Sequence, residues 1–207
     1  MNSERFSSLW RRCMVAGAEF DTARAFDELV RLYDGAHRFY HAKSHVDHCL
    51  TQMDAGAEAM GANDAVEMAL WYHDAIYDPR SNDNEQRSAE LFKKRARTVV
   101  ADDFCETVCR LIDVTTHKNL PVADDEKFVV DVDLSGFGMP WPAFNDDSTR
   151  VRREYSHLSD EQYVAGQRRF LQSLLDRKSV YSTDFYRERY ETVARANIAR
   201  QLAALGR

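Results

Sequence analysis

His73 and Asp74 stand side by side in a stretch, Ala65–Tyr77 (AVEMALWYHDAIY), that is otherwise almost wholly apolar. Wound as a helix, Val66, Met68, Ala69, Leu70, Trp71, Ala75 and Ile76 cover nearly the whole circumference. A helix apolar on all sides is a buried helix. An imidazole and a carboxylate buried together must find partners, because an isolated buried charge is very costly. A metal ion satisfies both groups at once, and further ligands should then come from elsewhere in the chain.

His37, His41, His45 and His48 are the nearest supply. At about 100° per residue they span about 80° of arc on a helix expected over Tyr40–Met60, with His37 just before it. Val46, Cys49, Leu50, Met53, Ala57 and Met60 form the adjoining apolar face. His45 lies closest to that face and is the best placed to meet a buried dyad on a neighbouring helix. A histidine, a histidine and an aspartate suit a borderline or hard divalent ion: Mn, Mg, Ni, Co, Fe or Zn. A further carboxylate is available in the apolar stretch Phe128–Leu134, which holds Asp131 and Asp133. On a helix these two point about 200° apart, so only one can face the site; on a strand both can.

The elements that must position these residues read as helices with short breaks. The chain has only eight glycines and four prolines, and no repeat or linker. Helices are expected near Glu4–Gly17, from the cap Asp21 to Gly35, over Tyr40–Met60, and from the cap Asn63 through the dyad to Tyr77. Others should cover Asn84–Thr98 and the segment ending at His117. The alternating stretch Lys127–Gly136 suggests a strand, but a lone strand has nothing to pair with, so a short buried helix is expected there. Pro140 and Pro142 open the next helix. Ser159 and Gln162 form a capping-box pattern, and Thr183 starts a long last helix. The fold class is all-α, about nine helices in a single domain over residues 1–207.

Net charge is −6, with 28 Lys and Arg against 34 Asp and Glu, so no nucleic-acid partner is expected. No apolar run approaches a membrane span. The N-terminal segment reads as a first amphipathic helix rather than a transit peptide. Cys13, Cys49, Cys105 and Cys109 contain no C-x-x-C pair and read as free thiols of a cytoplasmic protein. Phe185, Tyr186 and Tyr190 read as packing residues, and Arg150, Arg152 and Arg153 as a solvated face. Nothing in the chain sets its oligomeric state.

Four motifs in order carry a resemblance. They are Arg38-Phe39-Tyr40-His41-x-x-x-His45, Trp71-Tyr72-His73-Asp74-Ala75-Ile76-Tyr77-Asp78-Pro79, Asp83-Asn84-Glu85-Gln86-Arg87-Ser88-Ala89 and Asp131-Val132-Asp133-Leu134-Ser135. With Arg153-Glu154-Tyr155-Ser156, they resemble a branch of small HD-domain metal-dependent phosphohydrolases, over about Leu29–Ala199. A His-Asp pair alone is a weak signal; the ordered set is specific.

The resemblance implies an HD-type bundle in which His45, His73, Asp74 and Asp133 hold one divalent ion. It prefers Asp133 to Asp131, because the family's last ligand precedes a leucine. It implies hydrolysis of a phosphate ester or phosphoanhydride of a small molecule such as a nucleotide. Glu85 and Asp78 are then the candidates for proton transfer, and Arg38, His41 and His117 for binding the phosphorylated substrate. Each also fits a plainer role: Glu85 as a first-turn acid, Asp78 as a turn residue before Pro79, His117 as a cation at a helix C-terminus, Arg38 as a surface charge. Two other classes use the same residues. One is a metal-bearing sensor or assembly module without turnover. The other is an iron-dependent redox enzyme, which needs a second ligand set drawn from His41 and His117.

Overall fold

The apolar segment around Val66 forms the centre of the molecule. In the computed structural model, which describes residues 1–206, α4 (Asp64–Tyr72) is buried from Ala65 to Tyr72 without a break. Around it lie α1 (Ser3–Cys13), α2 (Thr22–Tyr33), α3 (Lys43–Met60), α5 (Asn84–Ala96), α6 (Asp102–Val114) and α7 (Asp124–Asp133). A 3₁₀ turn, Leu134–Gly138, leads into α8 (Trp141–Glu154), α9 (Asp160–Leu175) and α10 (Asp184–Ala204). The architecture is all-α, with ten α-helices and no strand among the described residues. No described helix is long and apolar enough to cross a membrane.

Several boundaries follow from capping. Asn63 accepts the N–H groups of Ala65 and Val66 at the start of α4. Ser159 and Gln162 form the reciprocal capping box of α9. Trp10, Phe6, Trp71, Tyr72 and Phe92 stack edge to face around α1 and α4. Burying each such side chain contributes about 1.5–3 kcal/mol. Tyr186 and Tyr190 pack in this core as read from the sequence.

Two expected helices are shorter than their periodicity suggests. α4 ends at Tyr72, before the dyad, because its last carbonyls are taken by other groups. The Leu70 carbonyl faces His73 Nδ1 at 3.0 Å, the Trp71 carbonyl accepts Tyr33 Oη–H, and the Tyr72 carbonyl accepts the Ala75 N–H. α3 begins only at Lys43, so His37 and His41 stand in the preceding loop, where helical angles do not apply.

α7 resolves the ambiguous stretch as a helix, and its two aspartates diverge. Asp131 is fully buried and accepts from the N–H groups of Ser182 and Thr183 (2.8 and 2.7 Å) and from the Thr183 hydroxyl (2.7 Å). It thus caps the start of α10 from across the core. Burial pushes its carboxyl up to about 6, against the pull of these three donors. Asp131→Ala should strand these donors and lower stability by about 2–4 kcal/mol, read as a shift of the urea midpoint. An unfolding free energy within about 0.5 kcal/mol of wild type, by the usual scale of surface substitutions, would contradict the capping role.

α10 and the segment before it in turn hold the 3₁₀ turn that follows Asp133. Tyr181 Oη donates to the Leu134 carbonyl, and Asn197 Nδ2 donates to the carbonyls of Phe137 and Met139. Gly138 lies so close to Tyr190 that a Cβ there would overlap it.

Candidate metal centre and cavity

Three segments bring the ligand candidates together: α3 carries His45, the turn just after α4 carries His73 and Asp74, and the end of α7 carries Asp133. The Nε2 atoms of His45 and His73 face each other at 3.2 Å. Asp133 Oδ1 lies 3.1 Å from His45 Nε2 and 3.6 Å from His73 Nε2. Asp74 Oδ2 lies 3.0 Å from His73 Nε2 and 3.6 Å from His45 Nε2. His48 fixes the α3 side: its Nε2 donates to Ser135 Oγ, which donates to the Val132 carbonyl. Burial and the nearby His45 lower His48 to about 4, so it serves as a neutral donor.

Proton accounting shows what this arrangement lacks. The Leu70 carbonyl can only accept, so His73 carries a proton on Nδ1. In the neutral ring its Nε2 is then a lone pair, aimed at another imidazole nitrogen and two carboxylate oxygens. In that state acceptor atoms of His73, Asp74 and Asp133 converge, a condition that either an added proton or a bound cation relieves. Charge shifts express the same deficit. Burial works against the charged form of His73, but Asp74 and Asp133 outweigh it and hold its imidazole well above the ordinary range. Burial would raise both carboxylates, yet the surrounding imidazoles hold Asp74 and Asp133 below theirs.

Cys49, read from the sequence only as a core thiol, also belongs here. Its Sγ lies 3.7 Å from His45 Nε2, one helical turn along α3. His45, Cys49, His73 and Asp133 each present one ligand atom, all within 4.8 Å of one another, a buried cluster that can hold a metal ion. The signal for Cys49 was its spacing of four from His45. Burial pushes its thiol well up, which makes it a poorer ligand than the imidazoles and Asp133.

The other expected site residues divide. His117 follows α6 in the left-handed region, φ 54°, a conformation that costs a non-glycine residue about 1–2 kcal/mol. It places Nε2 at 3.0 Å from Asp133 Oδ2, while Nδ1 is buried without a partner.

His41 reaches the site from its loop, not from a helix face. Glu154, fully buried at its side chain, pins that loop. Glu154 Oε1 accepts three consecutive backbone N–H groups, from Phe39, Tyr40 and His41, at 2.7–2.9 Å. Oε2 accepts from His41 Nδ1 at 2.6 Å and from Tyr77 Oη at 2.8 Å. Burial would raise Glu154, but His41 and these donors lower it to about 2. Burial would lower His41, but Asp74 and Glu154 raise it. Sequence reading gave Glu154 no role of its own; its only signal was an acid amid the resemblance motif Arg153–Ser156.

Arg38 does not stand free to clamp a phosphate. It is buried, donates to the carbonyls of His41, Asp74 and Ala75 at 2.7–2.8 Å, and lies over the rings of Tyr33 and Tyr77. It closes the turn bearing Asp74 against the His41 loop. Asp78 is a turn residue: Oδ1 accepts the Arg80 N–H, and its backbone pairs with the Asn84 side chain. Glu85 lies partly buried in the first turn of α5, outside the His/Asp contacts; with burial and Glu154 it raises the Tyr155 phenol. Arg152 and Arg153 are not simply solvated, since Arg152 bonds two carbonyls and Asp160 and Arg153 covers the Phe39 ring.

A cavity of about 460 Å³ reaches the cluster at Asp133. His41, His117, Asp133 and Tyr40 line its inner end, and α8, α9 and α10 form its outer walls. No protein-family model, curated protein or solved structure matches this chain.

Proposed function

We propose that this chain is a metal-dependent phosphohydrolase of the HD-domain type, acting on a phosphate ester or phosphoanhydride of a small molecule. The observation that supports it most is the meeting of His45, His73, Asp74 and Asp133, of which Asp133 lines a cavity whose wall also presents His41 and His117. A divalent ion bound by these four residues supplies Lewis acidity, acidifying a water and polarising a phosphoryl oxygen.

The chain's own residues do the rest. His41 places positive charge beside the phosphoryl group, and His117 offers its unpartnered ring to it, where catalysis is mostly positioning and electrostatics. Asp133 orients His117 through its second oxygen. As the bond from phosphorus to the leaving oxygen breaks and the water oxygen bonds to phosphorus, His41 gives its Nε2 proton to the leaving oxygen, and the proton the water gives up restores the charged imidazole. Glu154, on Nδ1, keeps that imidazole charged and aimed. Proton transfer thus passes to His41 and Glu154 rather than Glu85 or Asp78.

The test is an activity matrix of phosphate mono- and diesters and nucleotides against Mn, Mg, Ni, Co, Fe and Zn, with Asp74→Ala as the blank. Turnover with at least one ion, absent in the blank, is expected. Stoichiometric ion binding with no turnover of any ester would overturn the reading in favour of a binding module.

A further inference from the structure

The cavity is far more apolar than a site for a highly charged substrate should be. From His117 an aromatic wall continues through Phe170 (6.4 Å between ring centroids) and Phe137 (6.2 Å) to Phe144 (5.6 Å). Tyr155 and Tyr163, 6.0 Å apart, line the same cavity. Among the described residues, no lysine or arginine lines it. Arg152, whose guanidinium lies over the Tyr163 ring, is committed to Tyr155, Leu158 and Asp160. The only charged side chain on the wall away from the metal cluster is acidic, Asp147, which burial raises.

One polar group here lacks a partner. The Tyr163 hydroxyl is buried with no hydrogen-bond partner, on a residue only 7% exposed. Gln201 lies on the same lining, one end of its amide 3.0 Å from Ser148 Oγ. A buried hydroxyl without a partner is destabilising, a deficit that a hydrogen-bonding ligand atom removes.

Resting on the proposed hydrolase reading, we infer that the substrate carries a single phosphoryl group on an uncharged, planar aromatic alcohol, whose ring fills the chamber between Phe137, Phe170 and Tyr163, and that Asp147 excludes a second anionic group. A cavity of this volume suits one small ligand enclosed largely by apolar walls. The ring stacks on aromatic side chains. A polar edge meets Tyr163 and Gln201. A second phosphoryl group would enter where no cation waits and Asp147 repels it.

Equilibrium dialysis with three non-hydrolysable probes tests this: methylphosphonate, (1-naphthylmethyl)phosphonate, and the naphthyl compound bearing two phosphoryl groups. The naphthyl monophosphonate should bind at least about tenfold tighter than methylphosphonate, and at least about tenfold tighter than the doubly charged probe, each about 1.4 kcal/mol. Asp147→Asn should bring the two naphthyl probes to within about threefold of each other. Equal binding of the methyl and naphthyl probes, or preference for the doubly charged one, overturns the inference. An Asp147→Asn variant that keeps the wild-type ratio overturns the role of Asp147. Binding with the expected order but no turnover of any aryl phosphate would support the chamber and refute the hydrolase reading. Turnover with no preference among alcohols would do the reverse.

Discussion

His73→Ala is expected to lose its divalent ion and, with it, phosphate-ester turnover by roughly 10³-fold or more. The figure corresponds to several kcal/mol of transition-state stabilisation supplied by a Lewis acid, at about 1.4 kcal/mol per decade. His73 Nε2 contacts each of the other three ligand candidates: 3.2 Å to His45, 3.0 Å to Asp74 and 3.6 Å to Asp133. Without it, Asp74 keeps only its 3.6 Å contact with His45, and Asp133 keeps His45 and His117. Metal content by elemental analysis and turnover on the best substrate are the readouts, with circular dichroism to show that the helices persist. The variant keeps α4 intact, because His73 lies past its last residue. Retention of one ion per chain together with wild-type turnover would remove His73 from the centre.

Glu154→Gln should lower kcat by about 10²–10⁴-fold with a smaller effect on KM. The amide keeps the shape and can still accept the three backbone N–H groups through its oxygen. Its nitrogen, however, presents N–H to His41 Nδ1 and to Tyr77 Oη, both of which now donate to a carboxylate. His41 then loses the partner that favours its charged form, and its titration should move to lower pH, carrying the basic limb of the rate profile with it. A merely structural Glu154 would leave that limb in place while lowering stability.

Stability supplies a second reading of the same residue. The folded pKa of Glu154 is depressed to about 2 from an ordinary 4.5. Its contribution is therefore fully present above about 4.5 and lost as pH falls towards 2, at most ~3 kcal/mol. Urea denaturation at pH 7 and pH 3 should show a shallower acid loss in Glu154→Gln than in the wild type. An identical acid loss would mean that the carboxylate is not buried in its charged form.

The residues that converge were legible where a local pattern carries the information. The all-round apolar segment before His73 required burial, and the position of His45 at the edge of the apolar face of α3 pointed it inwards. The angular separation of Asp131 and Asp133 foretold that one would face the site and one would not. Asn63 and the Ser159–Gln162 pair marked helix starts, because a cap is a contact between residues two or three apart.

Residues whose role depends on a distant partner were not legible. Arg38 looks like a phosphate ligand until the carbonyls of Asp74 and Ala75 arrive beside it. Glu154 looks like any helical acid until a loop more than 110 residues away lays three N–H groups on one oxygen. His41 was placed on a helix that begins two residues after it. The periodicity of Tyr40–Met60 cannot register that competition, in which backbone donors leave a helical start for a buried carboxylate.

By itself, then, the amino-acid sequence determined an all-α protein with a buried His-Asp pair and a histidine set to meet it. These follow from short-range periodicity and from the cost of burying polar groups. Only the tertiary structure decided that Asp131 turns instead to the start of α10, that Cys49 joins the cluster, that Glu154 commands His41, and that the cavity beyond is aromatic and, among the described residues, lined by no lysine or arginine. Those outcomes rest on contacts between elements far apart in the chain, where a side chain's charge and hydrogen bonds are set by what packs against it rather than by its neighbours in sequence.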